Sequence, residues 1–509
     1  MMKLDNIFKS SNTNFKTPSQ GLYQRTVRSG VWALAMRVFE RGLGIVKLII
    51  LARMLAPNDF GLMGIALLAM ACLETFSQTG FQQALIQKKE MTEEYLDVAW
   101  TFMLIRNIVL FILLFIAAPY IASFFAAPRV TSIVRVIGAS LLLGGIGGIG
   151  GFANIGVLCF QRELEFNKQF FYRLTGALAD FIISIGAAVV LKSVWALVIG
   201  LLTGNIVKLF VGYMVHPYRP RLNFDLNKAR ELFGFGKWIL ASSILVFLVT
   251  QGDDIFVGKL LGATILGFYQ IAYKLSNAPA TEITHVISQV AFPAYSKLQD
   301  NTESLGNAYL KTLQLVAFVS IPLAGGIFVL APDFVHIFLG EKWVSIVSVM
   351  QILALAGLVR SIQATTGPLF QAIGKPKIDT QWQVIRLLVL AISVYPLTVL
   401  WGVLGTAIAV LVSIFTTFLG CSMMVIKVTG CDIKSYNKAV ACPLVAGIIM
   451  VFFIVALKNI LSSSVIYTFF FFVIIGGFVY LAVIYILSKL FRYNIGTFVR
   501  NCWTSLRNN

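Results

Sequence analysis

The stretch ARMLAPNDFGLMGIA at residues 52–66 is followed, 206 positions later, by GKLLGATILGFYQIA at residues 258–272, and the two align without a gap. The match extends back to the pair Gly30 and Gly236. Self-similarity at a fixed spacing is typical of a duplicated structural unit. We therefore predict two copies of one architecture, both with the same orientation.

The composition indicates that both copies lie in a membrane. The chain has 509 residues, of which 58% are hydrophobic and 12% are charged, whereas soluble domains have about 25% charged residues. An apolar helix of about 20 residues is long enough to cross a bilayer. On this criterion we predict about fourteen spans, at residues 29–52, 60–87, 97–118, 131–158, 169–191, 194–215, 233–260, 265–291, 308–330, 345–372, 379–400, 402–426, 438–457 and 465–489.

The loops predict the orientation of the chain. The even-numbered connections and the two tails contain about 23 Lys and Arg, against about six in the other loops, and basic loops stay in the cytoplasm. This asymmetry accounts for most of the formal net charge of +19, so no nucleic acid is needed as a partner. No apolar segment of a cleaved signal peptide precedes the first span. Both termini are therefore expected in the cytoplasm.

The predicted fold is an all-α integral membrane protein with two pseudo-symmetric six-helix lobes and two further C-terminal helices. Transporters with a parallel repeat bind their substrate between the halves, near the middle of the membrane. The expected divisions are a cytoplasmic N-terminal tail (1–28), an N-lobe (29–215), a cytoplasmic linker (216–231), a C-lobe (232–427), and a final segment with the last two helices and a cytoplasmic tail (428–509).

Four charged residues share one face of the first span, in the stretch RVFERGLGIVK at residues 37–47. Each charge at the centre of a bilayer costs about 2.5–3.5 kcal/mol on the insertion scale, yet at helical spacing all four fall within an arc of about 120°. We interpret this face as the lining of a cavity that binds an anionic cargo. The alternative is a set of salt bridges that only stabilise the bundle. The four residues are Arg37, Glu40, Arg41 and Lys47.

Other spans also contain charged residues, and when the first span is included the spans hold about twice as many cations as anions. This surplus favours an anionic cargo such as a diphosphate. Several basic residues can instead extend to the membrane surface, among them Lys274, Lys311 and Arg386. Four arginines are equally compatible with a cavity and with packing, namely Arg106, Arg135, Arg173 and Arg360. The acids that are candidates for proton or sodium coupling and gating are Glu40, Glu74, Asp253 and Asp254.

Lys47 and Asp253 occupy equivalent positions of the repeat, 206 residues apart. Equivalent positions of two related lobes can face each other across the axis between them, so we predict an ion pair that joins the lobes. The alternative is that Asp253 pairs locally with Lys259 or with a neighbouring helix.

Neither a metal nor a bound cofactor is expected. The stretch GIGGIG at residues 145–150 has the glycine spacing of a nucleotide-binding loop, but it lies inside a predicted span and no strand precedes it. Close packing or a bend is the better interpretation. His285 and His336 are isolated, and the six cysteines include no CxxC pair.

Several motifs resemble those of the Wzx-type polysaccharide flippases of the MOP superfamily, especially exporters of the colanic-acid group. Besides the repeat, they are ETFSQTGFQQALIQKKE, FQRELEFNK, AFPAYSKLQDNTE, FLGEKW and GLVRSIQATTGPLF. The resemblance implies a V-shaped bundle with alternating access to a central cavity. It also implies a lipid-linked oligosaccharide, carried on undecaprenyl diphosphate in a bacterial inner membrane, as cargo. Gln78 stands where the family often has an aspartate.

The predicted function is therefore lipid-linked oligosaccharide transport rather than an enzymatic reaction. Membrane lipids are expected partners, and the polymerase and chain-length regulator of the same pathway are candidates. A multidrug exporter similar to the MATE transporters is the alternative, although a surplus of cations does not favour cationic drugs. A polysaccharide polymerase would need a large extracytoplasmic loop, and the longest predicted one has only about 15 residues.

Overall fold

The computed structural model describes residues 19–87, 92–145, 150–163, 165–461 and 465–490. Most of the predicted N-terminal tail, the end of the C-terminal tail and the centre of the GIGGIG stretch lie outside these ranges. Within them the chain is helical, and no β-strand occurs.

The helices fall into two consecutive sets and a C-terminal pair. The first helix set contains α1 (Ser19–Met54), α2 (Pro57–Phe76), α3 (Phe81–Gln87), α4 (Glu93–Phe124), α5 (Val130–Leu142), α6 (Val157–Arg162), α7 (Phe166–Leu191) and α8 (Trp195–Val215). The second helix set contains α9 (Leu226–Leu261), α10 (Ala263–Ser296), α11 (Thr302–Phe334), α12 (Val347–Gln363), α13 (Thr366–Ala372), α14 (Pro376–Trp401) and α15 (Val403–Thr429). A π-helix (Val335–Leu339) and a 3-10 helix (Glu341–Ile346) join α11 to α12, and the C-terminal pair is α16 (Ile433–Ile460) and α17 (Ile466–Leu490).

Eleven helical stretches of the described chain are long and apolar enough to cross a membrane. The all-α, multi-pass membrane fold is therefore confirmed, but the predicted count of fourteen spans is not. Two long helices are outside the group of eleven. They are α1, with its four charges, and α10, which contains the polar stretch SNAPATEITH at residues 276–285. The remaining predicted span that is not among the eleven is the fourth along the chain, at residues 131–158.

The predicted fourth span, residues 131–158, is not one continuous helix. α5 ends at Leu142, and the next helix, α6, begins only at Val157. Between them, Gly145 has a φ of 65° and Gly151 a φ of 57°, a left-handed conformation that costs glycine little and other residues more. The described glycines of this segment therefore turn the chain out of the helix.

The contacts between helices follow the same pattern in both sets. In the first set α1 packs against α7, α7 against α8, α2 and α4 against α5, and α5 against α8. In the second set α9 packs against α14, α14 against α15, α10 and α11 against α12, and α12 against α15. Each contact of the first set thus has its counterpart in the second, as a duplicated unit requires. The domain boundaries given above remain predictions.

The C-terminal pair packs on one side of the second helix set. α16 contacts α11, and α17 contacts both α16 and α11. Lys458 of α16 donates to the buried Asp333 carboxylate at 2.5 Å, and the Tyr480 hydroxyl donates to the Phe318 carbonyl at 2.8 Å.

The segment between the two sets is anchored to α4. The Tyr218 hydroxyl and the Arg221 backbone N–H both donate to the Asp97 carboxylate. Burial and the adjacent Asp97 raise the pKa of Tyr218 above its ordinary value. α9 begins at Leu226, with the Asp225 carboxylate accepting from the backbone N–H groups of Asn227 and Lys228, which is the usual N-cap arrangement.

The two sets meet where α2 and α10 begin. A Cβ atom added to Gly61 would lie 1.7 Å from the Ala263 carbonyl oxygen, and one added to Gly267 would lie 2.2 Å from the Pro57 carbonyl oxygen. The two contacts are equivalent to each other, because the 206-residue offset pairs Gly61 with Gly267 and Pro57 with Ala263. Between the same helices, the Thr264 hydroxyl donates to the Asn58 side-chain oxygen at 3.3 Å.

Each set also donates a basic side chain to the backbone of the other. Arg53, at the end of α1, donates through Nε to the Phe338 carbonyl at 2.9 Å and through Nη2 to the Ile337 carbonyl. Lys259, its counterpart at the end of α9, donates to the Phe124 carbonyl at 2.7 Å. The acceptors Phe124 and Ile337 are also equivalent, under a second offset of 213 that aligns APYIASFF at residues 118–125 with APDFVHIF at residues 331–338.

Trp343 fills the space beside these contacts. Its side chain is fully buried, and its ring lies 5.4 Å from Phe60 and 5.5 Å from Phe268, both edge-to-face. Its Nε1–H donates to the Ala52 carbonyl at 2.8 Å. We refer to the beginnings of α2 and α10, the cations Arg53 and Lys259, and Trp343 together as the seal.

We expect Gly61→Leu or Gly267→Leu to separate the two sets at the seal, because the new side chain would occupy the position of a backbone carbonyl and overpacking costs about 1–3 kcal/mol. Cysteines at positions 58 and 264 should form a cross-link readily in the parent chain, and at least tenfold less in either variant. Gly186→Leu is the matched control, since a Cβ there meets nothing within 4 Å. Equal cross-linking in all variants would contradict this account of the seal.

Candidate functional site

A central cavity of about 710 Å³ lies between the two helix sets. α1, α2, α7 and α8 line it from the first set, and α9 and α10 from the second. Its described lining contains three lysines and three aspartates, so the cation surplus expected from the sequence does not hold for this lining as a whole. These residues are Lys47, Lys208, Lys274, Asp180, Asp253 and Asp254.

Lys47 forms an ion pair within the first set. Its Nζ lies 2.5 Å from Asp180 Oδ1 on α7, and the Ser184 hydroxyl donates to the same oxygen at 3.0 Å. The predicted ion pair between Lys47 and Asp253 is therefore absent from this conformation, although both residues line the same cavity. The reason is that α1 packs against α7, so the nearer carboxylate is that of Asp180.

The two aspartates of α9 bind side chains of α10. The Tyr269 hydroxyl donates to Asp253 Oδ2 at 2.5 Å, and the Gln270 amide donates to Asp254 Oδ2 at 3.1 Å. The alternative from the sequence, a partner on a neighbouring helix, is therefore correct for Asp253. This residue is only 3% exposed, and its Oδ1 has no hydrogen-bond partner among the described residues.

Lys208 and Lys274 differ from Lys47 because neither forms a hydrogen bond or an ion pair within the described ranges. Lys208, on α8, is within electrostatic reach of Asp180 and Glu40. Lys274, on α10, is within reach of Asp180 and Lys47. The cavity thus offers two ammonium groups whose charges have no direct partner in the described protein.

The charged face of α1 continues away from this cavity and contacts both sets. Arg41 pairs with Glu282 of α10 at 2.6 Å, and Glu40 faces Arg173 of α7 at 3.8 Å. All four side chains are at least 32% exposed, and pairs this exposed contribute about 0–1 kcal/mol. The structure thus places Glu40, Arg41 and Lys47 in one charged region with Arg173, and their role in binding stays a prediction.

Cations do exceed anions in this part of the site. Among the described residues around Asp180 and around Glu40, Arg41 and Lys47 of α1, five cations stand against three anions, a difference of 5 − 3 = +2. The cations are Arg41, Lys47, Arg173, Lys208 and Lys274, and the anions are Glu40, Asp180 and Glu282. Arg37 also interacts with a neighbouring group.

The other arginines chosen from the sequence lie elsewhere. Arg360 donates to the Tyr273 hydroxyl at 2.6 Å, at the edge of the cavity. Arg106 borders a second, smaller cavity beside Glu74. Arg135 is exposed, and its guanidinium stacks 4.7 Å from the centre of the Phe115 ring. It lines neither cavity in this conformation, and its assignment to a binding site stays a prediction.

Sequence reasoning missed four charged residues of this region. Asp180 and Lys208 were not singled out, while Lys274 and Arg386 were expected to reach the membrane surface. Arg386 is in fact only 6% exposed, and its Nε has no hydrogen-bond partner within the structure described. The sequence did show that these charges lie far from both ends of their predicted spans, which indicates a buried or cavity position. It could not show which charged side chains contact one another.

An apolar groove of about 420 Å³ runs along the second set near the cavity. It lies between α10, α11, α16 and α17, and Ile45 of α1 and Leu275 of α10 border it. Ile45 lies near the cavity-lining Lys47 in sequence, and Leu275 follows the cavity-lining Lys274. The groove and the cavity therefore share the helix pair α1 and α10 as their border.

The fold and the sequence were compared with known proteins. The lipid II flippase MurJ, in its inward closed conformation, superimposes with a TM-score of 0.73 at 15% identity, over 90% of this chain and 99% of that one. An inward-facing multidrug MATE transporter of the MOP superfamily gives 0.58 at 16% identity, over 77% of this chain and 96% of that one. At these identities the likeness concerns the fold alone, which is the MOP-type fold expected from the sequence.

Closer relatives were found by sequence. The chain is 29% identical over 429 residues to the lipopolysaccharide biosynthesis protein WzxC of Escherichia coli K12, covering 83% of this chain and 85% of that one. It is 26% identical over 468 residues to an uncharacterized membrane protein in the cps region of Klebsiella pneumoniae, covering 91% and 95%. These relatives confirm the resemblance to Wzx-type proteins. A family model described as "Polysaccharide biosynthesis protein" matches residues 50–348, and the chain belongs to that family.

Proposed function

We propose that this protein transports lipid-linked oligosaccharides across a membrane by alternating access. The observation that carries the proposal is the pair of ammonium groups, Lys208 and Lys274, that face a 710 Å³ cavity without a direct partner in the described chain. An unpaired charge within a membrane-spanning bundle is costly, and a diphosphate supplies a counter-charge together with several hydrogen-bond acceptors.

The apolar groove supports a cargo with a long hydrocarbon chain. It is lined almost entirely by apolar side chains, and α1 and α10 contribute residues both to it and to the cavity. A polyprenyl chain in this groove would remain in an apolar environment, at a gain of about 0.8 kcal/mol for each buried CH₂ group, while the diphosphate occupies the cavity. The names of relatives, which include a low-salt glycan biosynthesis flippase and a teichuronic acid biosynthesis protein, agree with such a cargo.

The seal supports a transport cycle in which only one side is open at a time. It closes the end of the bundle formed by the loops with few basic residues, which the charge distribution predicts to be extracytoplasmic. We propose that the present conformation receives cargo from the cytoplasm of a bacterial cell, across its inner membrane, with both termini on the cytoplasmic side.

A multidrug exporter is the other candidate, and the three cavity aspartates are the observation that favours it. Each of them, however, already accepts a hydrogen bond from a protein side chain, whereas two of the three lysines have no such partner. An anionic cargo therefore fits the described lining better than a cationic drug.

Coupling to a proton or sodium gradient is a further part of the proposal. Asp253 and Asp254 are the best candidates, because they are adjacent acids on α9 that border the cavity. Glu40 faces Arg173, and Glu74 lies beside Arg106. Polymerases and chain-length regulators of the same pathway would consume the transported repeat and are proposed partners. Catalysis is not part of the proposal.

We expect Lys208→Met and Lys274→Met each to lower the flipping rate of undecaprenyl-diphosphate-linked oligosaccharide at least tenfold, since a hydrogen bond to a charged group contributes about 1.5–3 kcal/mol. The measurement uses purified protein in liposomes. Lys311→Met, which changes an exposed lysine of α11 outside both cavities, should leave the rate within a factor of two. A normal flipping rate in both Lys208→Met and Lys274→Met would contradict the proposed binding of the diphosphate.

The orientation is tested with single cysteines in a chain whose six native cysteines are replaced. A cysteine at position 222 should react with a membrane-impermeant maleimide only after the cytoplasmic side is exposed, whereas one at position 192 should react in intact spheroplasts. Both native residues are exposed. Labelling of position 222 from outside the cell would contradict the proposed orientation and, with it, the proposed direction of transport.

A further inference from the structure

A second cavity, of about 220 Å³, lies beside the central one in the first helix set. It is formed by the end of α2, the turn after it, α3 and α4. Its lining is rich in neutral hydrogen-bonding side chains, with three glutamines and two threonines. These are Gln78, Gln82, Gln83, Thr75 and Thr79.

The polar groups of this lining are available to a ligand. None of the five side chains forms a hydrogen bond within the ranges that the structure describes. Each amide has two N–H donors and a carbonyl acceptor, and each hydroxyl can both donate and accept. The lining therefore presents donors and acceptors in roughly equal number around one small space.

Arg106 gives this cavity its shape. Its Nη2 donates to the Glu74 carbonyl at 2.8 Å and to the Ser77 hydroxyl at 2.9 Å, and its Nε donates to the same hydroxyl at 3.2 Å. These bonds fix the end of α2 against α4. Because the guanidinium is already engaged with the protein, the groups left for a ligand are mainly neutral ones.

The second cavity adjoins the central cavity. Gly144 lines the smaller cavity and Gly145 the larger. Glu74, which also lines the smaller cavity, lies against Gly145 so closely that an added Cβ would be 2.0 Å from its Oε1. Only Glu74 and the turn at Gly144 and Gly145 therefore separate the two spaces.

From these observations we propose that the smaller cavity is a carbohydrate subsite, which binds a sugar ring of the cargo through the amides of Gln78, Gln82 and Gln83 and the hydroxyls of Thr75 and Thr79. Sugar hydroxyls both donate and accept hydrogen bonds, so they match the donors and the acceptors of this lining, whereas an ionised phosphate only accepts and a hydrocarbon chain does neither. A site built to bond hydroxyl groups discriminates strongly against ligands that lack them. The subsite thus selects cargo by its sugar. This inference rests on the proposed function.

The test compares two probes, undecaprenyl diphosphate and the lipid-linked repeat extracted from cells that carry the gene. Equilibrium binding of each is measured on the full-length chain in lipid nanodiscs. The parent chain should bind the sugar-bearing probe more tightly. Gln78→Met and Gln82→Met keep the side-chain length and remove the amide, and each should lower the ratio of the two affinities at least fivefold without changing the affinity for undecaprenyl diphosphate.

Two further variants complete the experiment. Thr79→Val should reproduce the effect at a second kind of side chain, and Gln381→Met, on α14 outside this cavity, should leave both affinities unchanged. If the ratio of the two affinities is unaltered in the Gln78, Gln82 and Thr79 variants, the proposed subsite is wrong, but the proposed function is unaffected. Failure of the parent chain to bind either probe overturns the proposed function itself.

Discussion

The approach of backbone to backbone at Gly61 and Gly267 is the constraint on which the arrangement of the two helix sets depends. No Cβ fits at either position, so α2 and α10 can cross closely enough for Thr264 to reach Asn58 and for Trp343 to fill the remaining space. The two sets touch there, and the central cavity lies between them. A larger residue at either glycine would change the angle between the sets, and with it the cavity.

The repeat in the sequence predicted much of this architecture, because offsets of 206 and 213 relate residues that prove equivalent in space. Arg53 and Lys259 illustrate this, since each donates to the backbone of the opposite set. The same offset failed for Lys47 and Asp253. The repeat shows which residues correspond, but the rotation of each helix about its own axis decides which side chains face the other set. For α1 that rotation follows from packing against α7, and for α9 from packing against α10.

The glycine-rich segment and the charged residues show a second limit of sequence reasoning. Apolar composition predicted a continuous span at 131–158, but backbone conformation at Gly145 and Gly151 decides the outcome there. Likewise Lys274 and Arg135 are both intramembrane cations in the sequence, and only the structure distinguishes them. Lys274 faces the cavity, whereas Arg135 lies over an exposed aromatic ring. Hydropathy does not distinguish them, because it does not depend on which face of a helix a residue occupies.

The chemistry of the seal has a consequence for the energetics of transport. Arg53 and Lys259 donate to carbonyl oxygens of the main chain rather than to carboxylates, and Trp343 donates to another carbonyl. These acceptors are main-chain carbonyl groups, which neither gain nor lose a proton. In the proposed transport cycle, coupling to a proton gradient would therefore act through carboxylates such as those of Asp253 and Asp254 in the cavity, rather than through the acceptors of these bonds.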